Sequence, residues 1–145
     1  MEQGPECGHL APESRDMSSG LRLLYVDDDD LVRDLVRLSL NRDPYLQSQI
    51  VNSGEQALAC LETFAPDVVL LDVSMPEMDG SEVLRRLRLV PGHSHTPVIF
   101  MTARALADER QRLMALGAVG VIIKPFDPIS LAGDIRAMVG TSPGG

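Results

Sequence analysis

Five short apolar runs recur along the chain, near residues 21–26, 47–51, 67–72, 97–102 and 119–123, and each hands over to a longer stretch with helical hydrophobic spacing. Repeated switching between a strand period and a helix period leaves few architectures open. Parallel strands buried on both faces read as near-continuous apolar runs, and returning to the same sheet edge requires a crossover, usually a helix. The pattern predicts an α/β fold of the (βα)5 type, a five-stranded parallel sheet between two helical layers, with helices near 30–42, 54–64, 80–89, 105–116 and 128–139. Local signals mark the helix ends. Ser53-Gly54-Glu55-Gln56 reads as a capping box, Asp127-Pro128 as an N-cap followed by proline in the first turn, and Gly117 as the cap of the fourth helix.

The third run, Pro66-Asp67-Val68-Val69-Leu70-Leu71-Asp72-Val73-Ser74-Met75-Pro76-Glu77-Met78-Asp79-Gly80, drives an apolar strand into a carboxylate and then breaks the chain with proline and glycine. Open α/β sheets bind ligands just outside the carboxyl ends of their strands, so Asp72 is placed for chemistry rather than packing. Other strand ends agree. Leu23-Leu24-Tyr25-Val26 runs into Asp27-Asp28-Asp29-Asp30, Thr102 closes the fourth run, and Val121-Ile122-Ile123 runs into Lys124-Pro125. Carboxylates gathered at one edge repel one another, so some are protonated or a cation sits among them. An open set of hard oxygen ligands suits Mg²⁺ better than a closed calcium cage, with Mn²⁺ as a substitute. Lys124 is the only lysine among thirteen basic residues. A compact ammonium where the chain otherwise uses arginine suits contact with a phosphoryl oxygen or with Asp72.

The 145 residues are 44% hydrophobic and 23% charged, which suits one domain with a real core. A formal net charge of -8 and the lack of any basic run argue against nucleic acid or an anionic membrane as a direct partner, and favour a metal cation or a basic protein surface. Two cysteines, Cys7 and Cys60, make no disulfide framework, so a reducing, cytoplasmic setting is expected. Residues 1–20 are expected to form a disordered tail or linker, with neither signal-peptide nor anchor character, and Met17 offers an alternative start. Residues 141–145 are expected to be a flexible tail too short for an output domain.

Four motifs, Val26-Asp27-Asp28, Leu71-Asp72-Val73-Ser74-Met75-Pro76-Glu77-Met78-Asp79-Gly80, Met101-Thr102-Ala103 and Lys124-Pro125-Phe126, together resemble the receiver domain of two-component response regulators. The likeness spans about residues 21–139, within an expected domain of 21–140, and implies the flavodoxin-like strand order 2-1-3-4-5. It implies that Asp72 accepts a phosphoryl group from a phosphohistidine on a histidine kinase or phosphotransfer protein. It also implies that Asp28, Asp72 and the Ser74 backbone carbonyl contact Mg²⁺ directly while Asp27 acts through water. Thr102, Ala103 and Lys124 would then meet the phosphoryl group, with a cis bond before Pro125, and Thr102 would couple the site to the face of the fourth helix, fifth strand and fifth helix. Ser74 and Arg104 sit where such domains vary and where phosphate lifetime is tuned. The expected product is an aspartyl phosphate, made by a domain that assists its own phosphotransfer and dephosphorylation without being an enzyme in the ordinary sense. A homodimer formed on phosphorylation and an unidentified downstream protein are the partners this implies.

One position departs from the resemblance. These domains commonly carry an aromatic residue three positions before the lysine, and here that residue is Val121. A rotating ring cannot be the switch, which keeps open a pseudo-receiver, an interaction scaffold controlled by binding rather than phosphorylation.

The first helix carries Leu31, Val32, Leu35, Val36, Leu38 and Leu40 over an arc of about 200°, wider than a core-facing stripe needs. Packing against the fifth helix is the expected use of the excess, and docking of a helical phosphotransfer domain the other. The fourth helix, with Asp108-Glu109-Arg110-Gln111-Arg112, has few anchors and suits a movable segment.

Other chemistries fit less well. Four aspartates after the first strand would repel a nucleotide or flavin phosphate, and they lack the spacing and glycine of an EF-hand. Haloacid-type phosphatases usually carry a second acid two residues after the nucleophile, where this chain has Ser74. His93-Ser94-His95 is expected to be a solvated loop.

Overall fold

The computed structural model describes residues 20–140, so the expectations for residues 1–19, Cys7 and Met17 among them, and for 141–145 lie outside the described residues. Strands β1 (Leu21–Val26), β2 (Leu46–Val51), β3 (Val68–Asp72), β4 (Val98–Thr102) and β5 (Gly120–Ile123) alternate with helices α1 (Asp30–Leu40), α2 (Gly54–Phe64), α3 (Gly80–Leu87), α4 (Ala107–Ala115) and α5 (Leu131–Val139). The strands form one parallel sheet in the order β2-β1-β3-β4-β5, as the resemblance implies. β1, β3 and β4 are buried throughout, which is why they read as continuous apolar runs.

Two apolar layers flank the sheet. One face packs Leu23, Tyr25, Leu70, Met101 and Ile122 beneath Val36 and Leu40 of α1 and Leu131 and Ile135 of α5. The other packs Leu24, Leu71, Phe100 and Val121 beneath α2, α3 and Leu113 of α4. No helix among the described residues is long and apolar enough to cross a membrane.

The helix ends follow local chemistry, with two corrections. Ser53 Oγ accepts the Gln56 N–H at 3.1 Å, while the Gln56 side chain reaches back to the Asn52 N–H at 3.0 Å, one residue beyond the Ser53 N–H that a reciprocal box would use. Gly117, at φ +111°, follows the last turn of α4 in a conformation that L side chains rarely adopt. Asp127, however, does not cap α5. Its Oδ1 accepts the Ile129 N–H at 2.9 Å and its carbonyl accepts the Ser130 N–H at 3.2 Å, so it closes a separate turn and the helix begins at Leu131. Nor is His93 solvated: it is buried, with Nδ1 2.8 Å from Thr96 Oγ1 and Nε2 3.3 Å from the Leu61 carbonyl, tying the loop after α3 to α2. His95 is exposed.

The wide apolar arc of α1 is only partly used. Val36 and Leu40 are buried, whereas Leu31, Leu35 and Leu38 remain 69%, 42% and 66% exposed, so α5 does not cover them. α4 is held by a single buried side chain, Leu113, and has no side-chain N-cap.

Candidate functional site

Strand parity assembles the site. Side chains two apart on a strand share a face, so Tyr25 is followed on its own face by Asp27, Leu70 by Asp72, and Ile122 by Lys124. Where the apolar layer ends, the next side chain on β1, β3 and β5 is charged, while on β4, which runs between β3 and β5, it is Ala103. The Val26↔Leu71, Asp72↔Met101 and Thr102↔Ile123 registers bring those ends level.

The carboxylates of Asp27, Asp28 and Asp72 each offer an oxygen within 4.8 Å of the others. Lys124 Nζ donates to Asp72 Oδ1 at 2.7 Å and to Asp27 Oδ2 at 3.2 Å. Asp27 and Asp72 are buried, and Asp28 is exposed. A pocket of about 170 Å³ opens over them, walled also by Asp29, Ser74, Thr102, Ala103 and Arg104. The structure thus brings together all the expected site residues except Val121 and Pro125. Val121 is buried beside Leu113 and Ala118 on the opposite sheet face, and Pro125 follows a cis peptide bond from Lys124.

Burial pushes the Asp72 carboxyl up to about 6; the Lys124 hydrogen bond opposes that rise, and the charges of Asp27 and Asp28 add to it. Burial alone would push the Lys124 ammonium down, but the Asp72 hydrogen bond and the two facing carboxylates outweigh it and hold it above the usual lysine value. The donor set fits a hard divalent cation. Three carboxylates against one ammonium leave two negative charges uncompensated, every potential ligand is an oxygen, and exposed Asp28 leaves the site open to water and to a substrate oxygen.

The surrounding loops hold these groups in place. Asp27 Oδ1 accepts the Asp29 N–H at 2.9 Å, and Asp29 in turn caps α1 by accepting from Leu31 and Val32. Arg33 donates to the Asp27 carbonyl at 2.8 Å and pairs with Asp30. Gly80 lets the β3–α3 loop fold tightly against the end of β3, since a Cβ there would stand 2.5 Å from the Asp72 carbonyl oxygen. Thr102 Oγ1 accepts the Arg104 N–H at 3.1 Å, which leaves its own hydroxyl proton available to donate.

Sequence reasoning missed Tyr25, Asp29 and Arg33. Tyr25 is fully buried and its hydroxyl donates to Asp27 Oδ2 at 2.5 Å. Burial and that hydrogen bond to a carboxylate hold the phenol far above its ordinary pKa, so it is a permanent donor. Parity was the available signal: a lone phenol on an aliphatic face, two residues before an acid.

Beside the acidic pocket lies an apolar one of about 310 Å³, lined by Val32, Leu35, Pro125, Phe126 and Pro128 and sharing Ala103 and Lys124 with it.

A family model described as response regulator receiver domain matches residues 23–136. The transcriptional regulatory protein TrcR of Mycobacterium tuberculosis (strain ATCC 25618 / H37Rv) is 32% identical over 132 residues, covering 91% of this chain and 50% of that protein. A protein-glutamate methylesterase/protein-glutamine glutaminase of Halalkalibacterium halodurans is 41% identical over 118 residues, covering 79% of this chain and 33% of that protein. The chain therefore spans half or less of these two relatives. Among solved structures, chemotaxis protein CheY4 of Vibrio cholerae superposes with a TM-score of 0.75 at 29% identity, covering 83% of this chain and 99% of that one.

Proposed function

Because the chain belongs to the response regulator receiver domains, we propose that it accepts a phosphoryl group on Asp72 from a phosphohistidine of a histidine kinase or phosphotransfer protein, in a reaction that needs Mg²⁺. The observation that carries this reading is the single ammonium of Lys124 at 2.7 Å from Asp72, inside a set of three carboxylates suited to one divalent cation.

Asp72 is the nucleophile. One of its carboxylate oxygens attacks phosphorus in line, and the new O–P bond forms as the P–N bond to the donor imidazole breaks; the P–N electron pair stays on that nitrogen, and a proton already carried by the other ring nitrogen of the phosphohistidine lets the imidazole leave neutral. A carboxylate is weakly basic, but phosphoryl transfer depends chiefly on positioning and charge neutralisation. Asp28, Asp72 and the Ser74 carbonyl would hold Mg²⁺, which would supply positive charge to the phosphoryl oxygens and compete with the proton on Asp72. Asp27 orients water around that position. Lys124 passes its hydrogen bond from Asp72 Oδ1 to a phosphoryl oxygen, and the Thr102 hydroxyl and the Ala103 backbone close on the same group. The mixed anhydride then hydrolyses at the same site, which makes the modification reversible.

The apolar pocket supports a helical phosphotransfer domain as the donor. It shares Ala103 and Lys124 with the acidic pocket, and Leu35 of α1, which lines it, lies three and four residues from the exposed Leu38 and Leu31, on the same helix face. With Val121 in place of an aromatic ring, the readout runs through the loop after Thr102 and the weakly anchored α4. That movement alters binding to a downstream protein or to a second copy of the chain, in the cytoplasm where such donors work.

Incubation with a small acyl phosphate and Mg²⁺, followed by intact mass, tests the reading. Wild type is expected to gain one phosphate, while Asp72→Asn and an EDTA-treated sample gain none. No gain in wild type with Mg²⁺ binding confirmed would point instead to a scaffold controlled by binding.

A further inference from the structure

We infer that Tyr25 is a positioning residue of the acidic site, its buried phenol setting which oxygen of Asp27 remains for the cation's water shell and keeping Lys124 on Asp72. The inference rests on the Mg²⁺ reading above and adds a residue to it.

Among the described residues that form this apolar cluster, Tyr25 alone carries a hydroxyl. Its neighbours on the same sheet face, Leu23, Leu70, Met101 and Ile122, are aliphatic or thioether. An aliphatic residue would fill this layer without burying a hydroxyl, which is unfavourable unless the hydroxyl is hydrogen-bonded. Its strong partner is Asp27 Oδ2 at 2.5 Å; the other neighbour, Met101 Sδ, lies at 3.9 Å.

The consequences follow from counting lone pairs. Oδ2 of Asp27 takes the Tyr25 hydroxyl and the Lys124 ammonium, and Oδ1 takes the Asp29 N–H. Each carboxylate oxygen offers two acceptor sites, so the remaining capacity of Asp27 lies on Oδ1. The phenol also shapes the lysine's division between two acids. With Oδ2 already engaged by a short hydrogen bond, Lys124 stands off at 3.2 Å and makes its closer contact, 2.7 Å, with the nucleophile. Without the hydroxyl, Lys124 is drawn toward Asp27, and Asp27 is free to rotate. Groups that orient a metal site's carboxylates from behind commonly change metal affinity by 10-fold or more when removed.

The chain contains two tyrosines and no tryptophan, which makes the test direct. Tyr45 is half exposed and precedes β2 at the sheet edge remote from the site, so in Tyr45→Phe the emission comes from Tyr25 alone. Mg²⁺ is titrated into Tyr45→Phe by calorimetry and by tyrosine emission, and into Tyr25→Phe by calorimetry. The expected result is a saturable change in Tyr25 emission with the calorimetric midpoint, and roughly tenfold weaker Mg²⁺ binding in Tyr25→Phe, whose ring preserves the packing. A flat emission trace while calorimetry reports binding overturns the inference and leaves the Mg²⁺ reading standing. Equal affinity in folded Tyr25→Phe overturns it as well. Should Tyr25→Phe fail to fold, the emission of Tyr45→Phe decides alone. Absence of Mg²⁺ binding to wild type and Tyr45→Phe removes the metal reading and this inference with it.

Discussion

An ammonium shared between two buried carboxylates needs a side chain that is thin, long and singly pointed. Lys124 meets that need with Nζ at 2.7 Å from Asp72 and 3.2 Å from Asp27. Arginine would bring a wider planar fork whose donors diverge. Lys124→Arg is therefore expected to fold and to bind Mg²⁺, but to gain phosphate from an acyl phosphate about a hundredfold more slowly, the scale seen when one oriented donor to a developing charge is lost. A wild-type rate in a time course of intact mass would remove the lysine from the mechanism. Asp72 carries a second prediction. In metal-free protein its carboxyl is pushed up to about 6 from 3.8, so the folded state holds that proton more tightly than the unfolded chain. Its favourable contribution is complete below the unfolded value and is lost as pH rises through about 6. In EDTA, Asp72→Asn is expected to raise the unfolding free energy at pH 7 by about 2 kcal/mol relative to wild type, and by little at pH 4. Urea denaturation at the two pH values measures the difference, and an equal effect at both would contradict the burial argument.

At the scale of elements, what the sequence made legible and what it hid have separate physical causes. Strands buried on both faces, such as Val68–Asp72, announce themselves because every side chain is apolar until the functional one. The start of α5 did not, since an Asp before proline closes an isolated turn as readily as it caps a helix, and only the Ile129 and Ser130 hydrogen bonds distinguish the two. His93 was misjudged because its partners, Thr96 and the Leu61 carbonyl, include one 32 residues away in sequence. The acids and the lysine of the site were readable at strand ends, whereas Tyr25 was not, because its contact depends on how deep the apolar layer reaches. The weakness of α4 was readable and is visible in the fold, with Leu113 as its one buried anchor and no side-chain cap. Amides of Ala107–Ala115 are therefore expected to exchange with solvent faster than those of α2 and α3, and to change most on phosphorylation. Hydrogen exchange followed by mass spectrometry checks this, and protection in α4 equal to that in α2 would contradict a movable role.

For the molecule as a whole, a net charge of -8 and a concentrated cluster of acids at one sheet edge make the metal-free fold self-repelling at the proposed acceptor site. A cation bound only by the folded state relieves that strain. Mg²⁺ at a hundredfold excess over its dissociation constant is expected to stabilise the fold by about 2.7 kcal/mol, with a smaller shift at the same concentration in Asp28→Asn. A denaturant midpoint indifferent to Mg²⁺ would contradict this. The sheet is then best understood as a rigid frame that delivers the ends of β1, β3 and β5 to one point, with the exposed leucines of α1 as the surface proposed for the donor and the lightly held α4 as the segment proposed for the readout. The most direct test of this account is chemical mapping of the modified residue. Protein treated with acyl phosphate and Mg²⁺ is reduced with borohydride, which converts an aspartyl phosphate to homoserine, and its peptides are sequenced by mass spectrometry. Homoserine at position 72 alone, absent when EDTA is present, is the predicted result; modification elsewhere, or at position 72 without a divalent cation, would contradict it.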